Sequence, residues 1–273
     1  MGTGTAAPDY KAITERQQGV WSAGDFGRFG ALLVLHGELL AESVDIHPGE
    51  RVLDVGGGSG SASLAAARRF ADVTCTDFVP ELLEQAKRRA ESEGLPIATQ
   101  VADAQNLPFE DSSYGVVIST FGAMFAPDQQ RVADELVRVC RSGGRIGMAN
   151  WAPGSMMNEV FAATGKHAPP PPGVQPVFNW GNEANVRELF GDRVSSLDFI
   201  PRDLTWRFPS PEYMLDYFRD WYGPTKIAFG ALDEAAQEAL GNDLLEVYRK
   251  HNRADDGTLV APSAYVEVIA VRR

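Results

Sequence analysis

The stretch Val52-Leu53-Asp54-Val55-Gly56-Gly57-Gly58-Ser59-Gly60 holds the residues best suited to chemistry in this chain. A short apolar run feeding closely spaced glycines is a strand entering a turn. Without Cβ atoms, the backbone of that turn can approach a nucleotide-like ligand closely. Three ligand classes compete for such a loop. A phosphate-cradling loop ends in Gly-Lys-Ser/Thr, but Ser61-Ala62 follow Gly60, so that class is excluded. A dinucleotide fingerprint needs a third glycine or alanine where this chain has Ser61, counting from Gly56, or Ser63, counting from Gly58; the match is incomplete. The glycines fall instead as G-x-G-x-G, with Asp54 two residues ahead of them.

Elements of alternating type must carry these residues. Tyr10–Ser22 reads as a mixed polar helix, broken by Gly24-Asp25-Phe26-Gly27, and Phe29–Val44 as a second helix with Leu33, Leu40 and Val44 on one face. Strands are expected at Arg51–Val55, Asp72–Thr76, Ile97–Ala102, Tyr114–Ser119 and Arg145–Asn150. Between them fall helices at Ser61–Phe70, from Pro80 onward, and at Gln129–Arg141, the last ended by Gly143-Gly144. Near-continuous apolar strands separated by helices imply a parallel sheet covered on both faces. After Trp151 the rhythm changes. Pro169–Pro172 is a stiff connector, Arg193–Phe208 looks extended, Pro211–Tyr222 and Glu234–Asn252 read as helices, and Tyr265–Val271 as a closing strand.

Asp-Val-Gly-Gly-Gly-Ser-Gly at 54–60 resembles the first motif of class I S-adenosylmethionine-dependent methyltransferases. Thr76-Asp77-Phe78-Val79-Pro80-Glu81-Leu82-Leu83 resembles the acidic end of that family's second strand, and Ala102-Asp103-Ala104-Gln105-Asn106-Leu107-Pro108-Phe109 the loop after its third. Ser119-Thr120-Phe121-Gly122 and Leu136–Gly144 resemble the fourth-strand region and the helix beyond. The four stretches arrive in the family's order over about residues 20–151, closest to the ubiquinone and menaquinone biosynthesis branch. The resemblance implies an α/β fold: a Rossmann-like, doubly wound, mostly parallel seven-stranded sheet with its last strand antiparallel. It implies an N-terminal helical segment or lid over residues 1–28, then a methyltransferase domain over 29–273. Inserted helical material at about 152–192 and 209–257 would cover the acceptor, with Asn179-Trp180-Gly181, Trp206 and Asp220–Thr225 as lid and pocket wall.

S-adenosylmethionine would then be the cofactor and S-adenosylhomocysteine the product. Gly56, Gly58 and Gly60 would bring backbone to it, and Asp77 would accept from the ribose hydroxyls. Asp103 would accept from the adenine amino group while the Ala104 N–H donates to the ring. Asp54 would orient the loop or meet the ligand's ammonium through water, and Phe78 would cover an adenine face. Thr120 belongs to the same cofactor set. Trp21, Phe121 and Phe125 are candidates to face the sulfonium, a fixed cation suited to aromatic rings.

Transfer from a sulfonium is an in-line displacement that needs alignment, and a base only where the acceptor must lose a proton. Ser119-Thr120-Phe121 replaces the acids that hold a metal in catechol-type enzymes, so no metal is expected, and the Asn/Asp-Pro-Pro motif of amide and adenine methylators is absent. Of four histidines, His167 beside the proline connector is the candidate base; His36, His47 and His251 are read as structural. The acceptor expected is a small, partly apolar metabolite. The alternatives are a non-catalytic cofactor-binding module and a nicotinamide-dependent oxidoreductase.

Composition narrows the partners. With 25 Lys+Arg against 37 Asp+Glu, the net charge of −12 disfavours nucleic acid, whose phosphates demand a basic footprint. Cys75 and Cys140 are too few for a disulfide framework and read as buried thiols. Met1–Pro8 shows no signal-peptide pattern, and Ala6 breaks a myristoylation match. The run Ala31–Ala41 is too short to span a bilayer and holds His36 and Glu38. A cytoplasmic monomer or homodimer without membrane partners is the expectation.

Overall fold

The computed structural model describes residues 8–273. The Ala6 position and the beginning of the N-terminal segment weighed above lie outside the described residues.

Three helices open the chain, α1 (Tyr10–Ser22), α2 (Phe26–Ala31) and α3 (Val34–Ser43). Strand and helix then alternate through β1 (Arg51–Val55), α4 (Ser61–Arg68), β2 (Asp72–Asp77), α5 (Pro80–Glu93), β3 (Ala98–Val101), β4 (Tyr114–Thr120), α6 (Gln129–Val139) and β5 (Cys140–Trp151). Helices α7 (Met156–His167) and α8 (Glu183–Phe190) precede β6 (Val194–Phe208). Next come α9 (Pro211–Trp221), α10 (Gly223–Gly230) and α11 (Glu234–His251), before β7 (Leu259–Arg272) closes the chain.

The seven strands lie in the order β3-β2-β1-β4-β5-β7-β6. β1, β2, β3, β4 and β5 pair in parallel, and β7 runs antiparallel between β5 and β6. This is the doubly wound sheet expected, with the last strand antiparallel. Strand order reverses between β1 and β4, and such a crossover leaves a crevice at the carboxyl ends of the strands. Val52, Leu53, Val55, Val116, Val117 and Ile118 are fully buried on those central strands, as a sheet covered on both faces demands.

Three local departures have physical causes. The helix expected over Phe29–Val44 is two helices. Asp25 caps α2 by accepting from the Gly27 and Arg28 N–H groups, and the chain turns at Leu32-Leu33 before α3. The turn lets both helices lie against the glycine loop and α4: a Cβ on Gly30 would fall 2.4 Å from Ser59 Oγ, and one on Gly37 2.7 Å from the Ser61 carbonyl oxygen. The Gly143-Gly144 pair does not end α6, because Cys140 is already extended at φ −75° and ψ 133°. Gly143, at φ +71°, instead lies within β5, whose pairing with β4 shifts register between Tyr114 and Val116. β7 begins at Leu259 rather than Tyr265, because it pairs along β6 down to Phe208. Helix α8 was not foreseen; Asn182 starts it by accepting from the Ala184 and Asn185 N–H groups.

Candidate active site

A cavity opens at the crossover, with about 940 Å³ of space free of protein atoms, part of it open to solvent. Its floor is the turn after β1. Gly56 and Gly58 take φ +67° and +55°, backbone that glycine adopts without strain. The Gly57 N–H donates to the Thr76 carbonyl (2.8 Å), and a Cβ on Gly57 would fall 2.7 Å from both Asp54 Oδ2 and Cys75 Sγ. The loop is therefore threaded through a gap only glycine fits.

Three aspartates, from the ends of β1 and β2 and the loop after β3, border this cavity. Asp77, 5% exposed, accepts from the Gly58 N–H through Oδ2 (2.9 Å) and from the Val79 N–H through Oδ1 (3.0 Å), fixing its orientation. Burial pushes its carboxyl up to about 6. Asp54 has no exposed surface; its Oδ2 accepts from Ser63 Oγ (2.6 Å) while Oδ1 has no partner, and burial pushes it up to about 7. Asp103 stands in the loop after β3, where the Gln105 N–H donates to Oδ1 (2.9 Å) and the Gln105 side-chain amide lies 3.1 Å from both carboxylate oxygens.

From the opposite side the turn after β4 closes the cavity. The Phe121 N–H donates to the Ala149 carbonyl (2.9 Å), and Phe121 holds φ +50°, a strained setting for an aromatic residue. Its ring stacks on Trp151 at 4.1 Å. A Cβ on Gly122 would fall 2.2 Å from the Gly56 carbonyl oxygen, so the β1 and β4 loops touch backbone to backbone. Thr120 presents a buried hydroxyl with no partner to the same cavity.

Helix α1 crosses the mouth. Gln17 donates to the Phe125 carbonyl (3.0 Å), Gln18 to the Phe78 carbonyl (2.5 Å), and Gln105 to Thr14 Oγ1 (3.0 Å). Trp21 meets Phe125 and Phe26 edge-on at 4.9 and 5.5 Å. No residue of α1 is fully buried, so polar ties and one indole hold it over the crevice.

Of the residues singled out from sequence, Trp21, Asp54, Gly56, Gly58, Asp77, Phe78, Asp103, Ala104, Thr120 and Phe121 all line this cavity. Gly60 does not. Its φ of +84° serves the start of α4, and a Cβ there would meet that of Ala86 at 3.0 Å; its task is close packing of α5. His167 is also elsewhere, with Nε2 3.1 Å from Asp243 Oδ2 between α7 and α11. Trp180 and Trp206 are 0% and 2% exposed and belong to the core, and none of Asn179–Gly181 or Asp220–Thr225 lines the cavity. Thr14, Gln17, Phe26, Leu33 and Gln105 line it and were missed. The signal for the α1 pair was present, since 14, 17 and 21 share one helical face.

A model of the methyltransferase domain matches residues 53–148. Over 254 residues the chain is 37% identical to the uncharacterized Mycobacterium tuberculosis protein Rv1403c, spanning 91% of this chain and 92% of that one. A demethylmenaquinone methyltransferase of Clavibacter sepedonicus is 39% identical over 98 residues, 36% of this chain and 40% of its own. This chain belongs to the class I S-adenosylmethionine-dependent methyltransferases. Its fold matches that of YcgJ from Bacillus subtilis with a TM-score of 0.59 at 17% identity, over 87% of the methyltransferase and 99% of YcgJ. The cavity fits the family's cofactor on two independent grounds: the loop backbone at Gly56, Gly57 and Gly58 is bare of Cβ atoms, and the buried Asp54 Oδ1 and Thr120 Oγ1 are left without partners. Among the described residues no three His, Cys, Asp or Glu side chains converge to hold a metal ion, and no helix is long and apolar enough to cross a membrane.

Proposed function

We propose that this methyltransferase moves the methyl group of S-adenosylmethionine to a small, partly apolar molecule held beneath α1, by in-line displacement without a metal. The observation that carries the reading is the convergence of three aspartates, a glycine-rich loop and aromatic rings on one crevice at the β1/β4 crossover. When bound, the cofactor supplies a methyl group on a sulfonium, already electrophilic.

The chain's part is to bind, align and exclude water. Asp77, fixed by two backbone donors, keeps a second lone pair on each oxygen for a ribose hydroxyl. Asp103 and the Ala104 N–H read the adenine edge, with Gln105 holding the Asp103 carboxylate in place. Phe78 lies partly exposed against the adenine face, outside the packed core. Asp54 Oδ1 answers the amino-acid end through water. Residues 8–28 form the lid of a methyltransferase unit running from residue 29, and the inserted segments at about 152–192 and 209–257 brace the acceptor side. They do so from one layer back: Tyr222 stacks on Phe29 at 4.5 Å and meets Trp21 at 5.8 Å, and Phe161 stacks on Phe125 at 6.0 Å.

Calorimetric titration with S-adenosylhomocysteine tests the reading. Micromolar binding is expected, and Asp77→Ala should weaken it by about 1.5–3 kcal/mol, the worth of a hydrogen bond to a charged group. No binding by the wild-type protein would refute the proposal, and an unaltered affinity in the variant would remove Asp77 from it.

A further inference from the structure

We infer that Arg89, on α5, is a positioning residue for the cofactor: from behind the cavity wall it joins the glycine turn to α2 as one binding surface. This rests on the functional reading above and deepens it. Arg89 does not itself line the cavity, but Ser59, Ser61, Phe26 and Gly30 do, and its contacts run through all four. Its Nη1 donates to the Ser59 carbonyl (2.6 Å) and lies 3.2 Å from Ser59 Oγ and 3.4 Å from Ser61 Oγ.

A hydroxyl has one proton to give and lone pairs to receive. Ser59 Oγ gives its proton to the Phe26 carbonyl (2.9 Å), and Ser61 Oγ gives its own to the Gly30 carbonyl (3.1 Å). Arg89 meets both hydroxyls on their accepting side, because a guanidinium can only donate. It therefore fixes the direction of both bonds, with the protons toward α2. Gly30 belongs to the same fit, since a Cβ there would collide with Ser59 Oγ.

The charge serves this junction alone. Among the described residues Arg89 forms no ion pair, and Glu93, one turn further along α5, is taken by Arg68. Arg89 is half-buried, and burial pulls its guanidinium below the ordinary arginine value. A partly desolvated cation without a carboxylate adds little to a fold, whereas its charge-assisted hydrogen bonds orient neutral partners strongly. Leu82, Gln85 and Arg89 share one face of α5. Leu82 lines the cavity, and Gln85 donates to Asp25, the residue that caps α2 (3.4 Å). Helix α5 thus grips α2 both at its cap and through the two serines.

Three measurements on the full chain test this. Arg89→Met keeps the apolar stem and removes the donors. Its affinity for S-adenosylhomocysteine, read by calorimetric titration, should fall at least about tenfold, as expected for losing a hydrogen bond to a charged group. Without ligand, its Phe29–Leu33 amides should exchange with deuterium faster than in the wild type, while those of β4 keep the wild-type rate. Arg89→Ala should regain affinity when methylguanidinium is added, and not with tetramethylammonium at the same concentration. Wild-type affinity in Arg89→Met, weakened binding without faster exchange in α2, or no regain with methylguanidinium would overturn the inference. Should Arg89→Ala fail to fold, Arg89→Met decides alone. Failure of the wild type to bind S-adenosylhomocysteine would instead refute the functional reading, and the exchange comparison would still test the junction.

Discussion

Asp54 and Asp77 are carboxyls taken out of water, and their titration should be visible in the stability of the whole chain. Burial raises them to about 7 and about 6, whereas in the unfolded chain both ionise near pH 4. Between those limits the folded state retains protons the unfolded state has lost, so their contribution is fully present below about pH 4 and falls as pH rises to 7. His36 acts in the opposite sense: burial lowers it to about 4, so its contribution is lost as pH falls from 6.5 to 4. Of these three groups, only the carboxyls still titrate above pH 6.5. Urea unfolding should therefore show wild type losing stability between pH 6.5 and 8, and Asp54→Asn should flatten most of that loss; a variant with the wild-type slope would clear Asp54 of it. His167→Ala makes a control at the same scale. It breaks a part-exposed pair with Asp243, worth about 1 kcal/mol or less, and should leave methyl transfer intact across pH. A collapse of turnover in that variant would return His167 to the mechanism.

At the level of elements, two loops act as one unit because their backbones touch at Gly56 and Gly122. Gly122 has an ordinary negative φ, so the constraint is space: an alanine there drives its Cβ into the Gly56 carbonyl. Gly122→Ala should cost about 1–3 kcal/mol by overpacking and weaken S-adenosylhomocysteine binding more than tenfold, read by thermal unfolding and titration of one sample. Unchanged binding would separate the loops functionally. The elements also show how far sequence carries. β1, its glycine turn, β2 and the loop after β3 were legible because apolar runs, glycine and a following acid sit within a few residues of each other. The break between α2 and α3 was not, since it answers to Ser59 and Ser61 packing against Gly30 and Gly37 across about thirty residues of chain. Gly60 was assigned to the cavity because its motif neighbours face it, yet its partner is Ala86, a contact no local pattern reveals. Trp180 and Trp206 misled for the reverse reason: an aromatic residue beside a turn reads alike whether it walls a pocket or fills a core.

Across the whole molecule, the helices that follow β5 contribute no residue to the cavity lining and meet it through a chain of aromatic rings. Rings run from Trp21 and Phe26 through Tyr222 and Phe29 to Trp206, Trp151 and Phe121, with successive centroids 4.1–6.3 Å apart. On the proposed function, acceptor contacts come from the elements that line the cavity, α1 among them, and the segments behind those rings set how firmly they are held. One practical result follows from where the five tryptophans sit. Trp21 alone among them borders the cavity; Trp151, Trp180 and Trp206 are sealed in the interior, and Trp221 faces Arg28, whose guanidinium lies 4.3 Å from its ring. The protein therefore carries its own optical reporter. Ligand entry should dim and shift the emission of one indole over a steady background from the other four, and Trp21→Phe should silence that signal while the background persists.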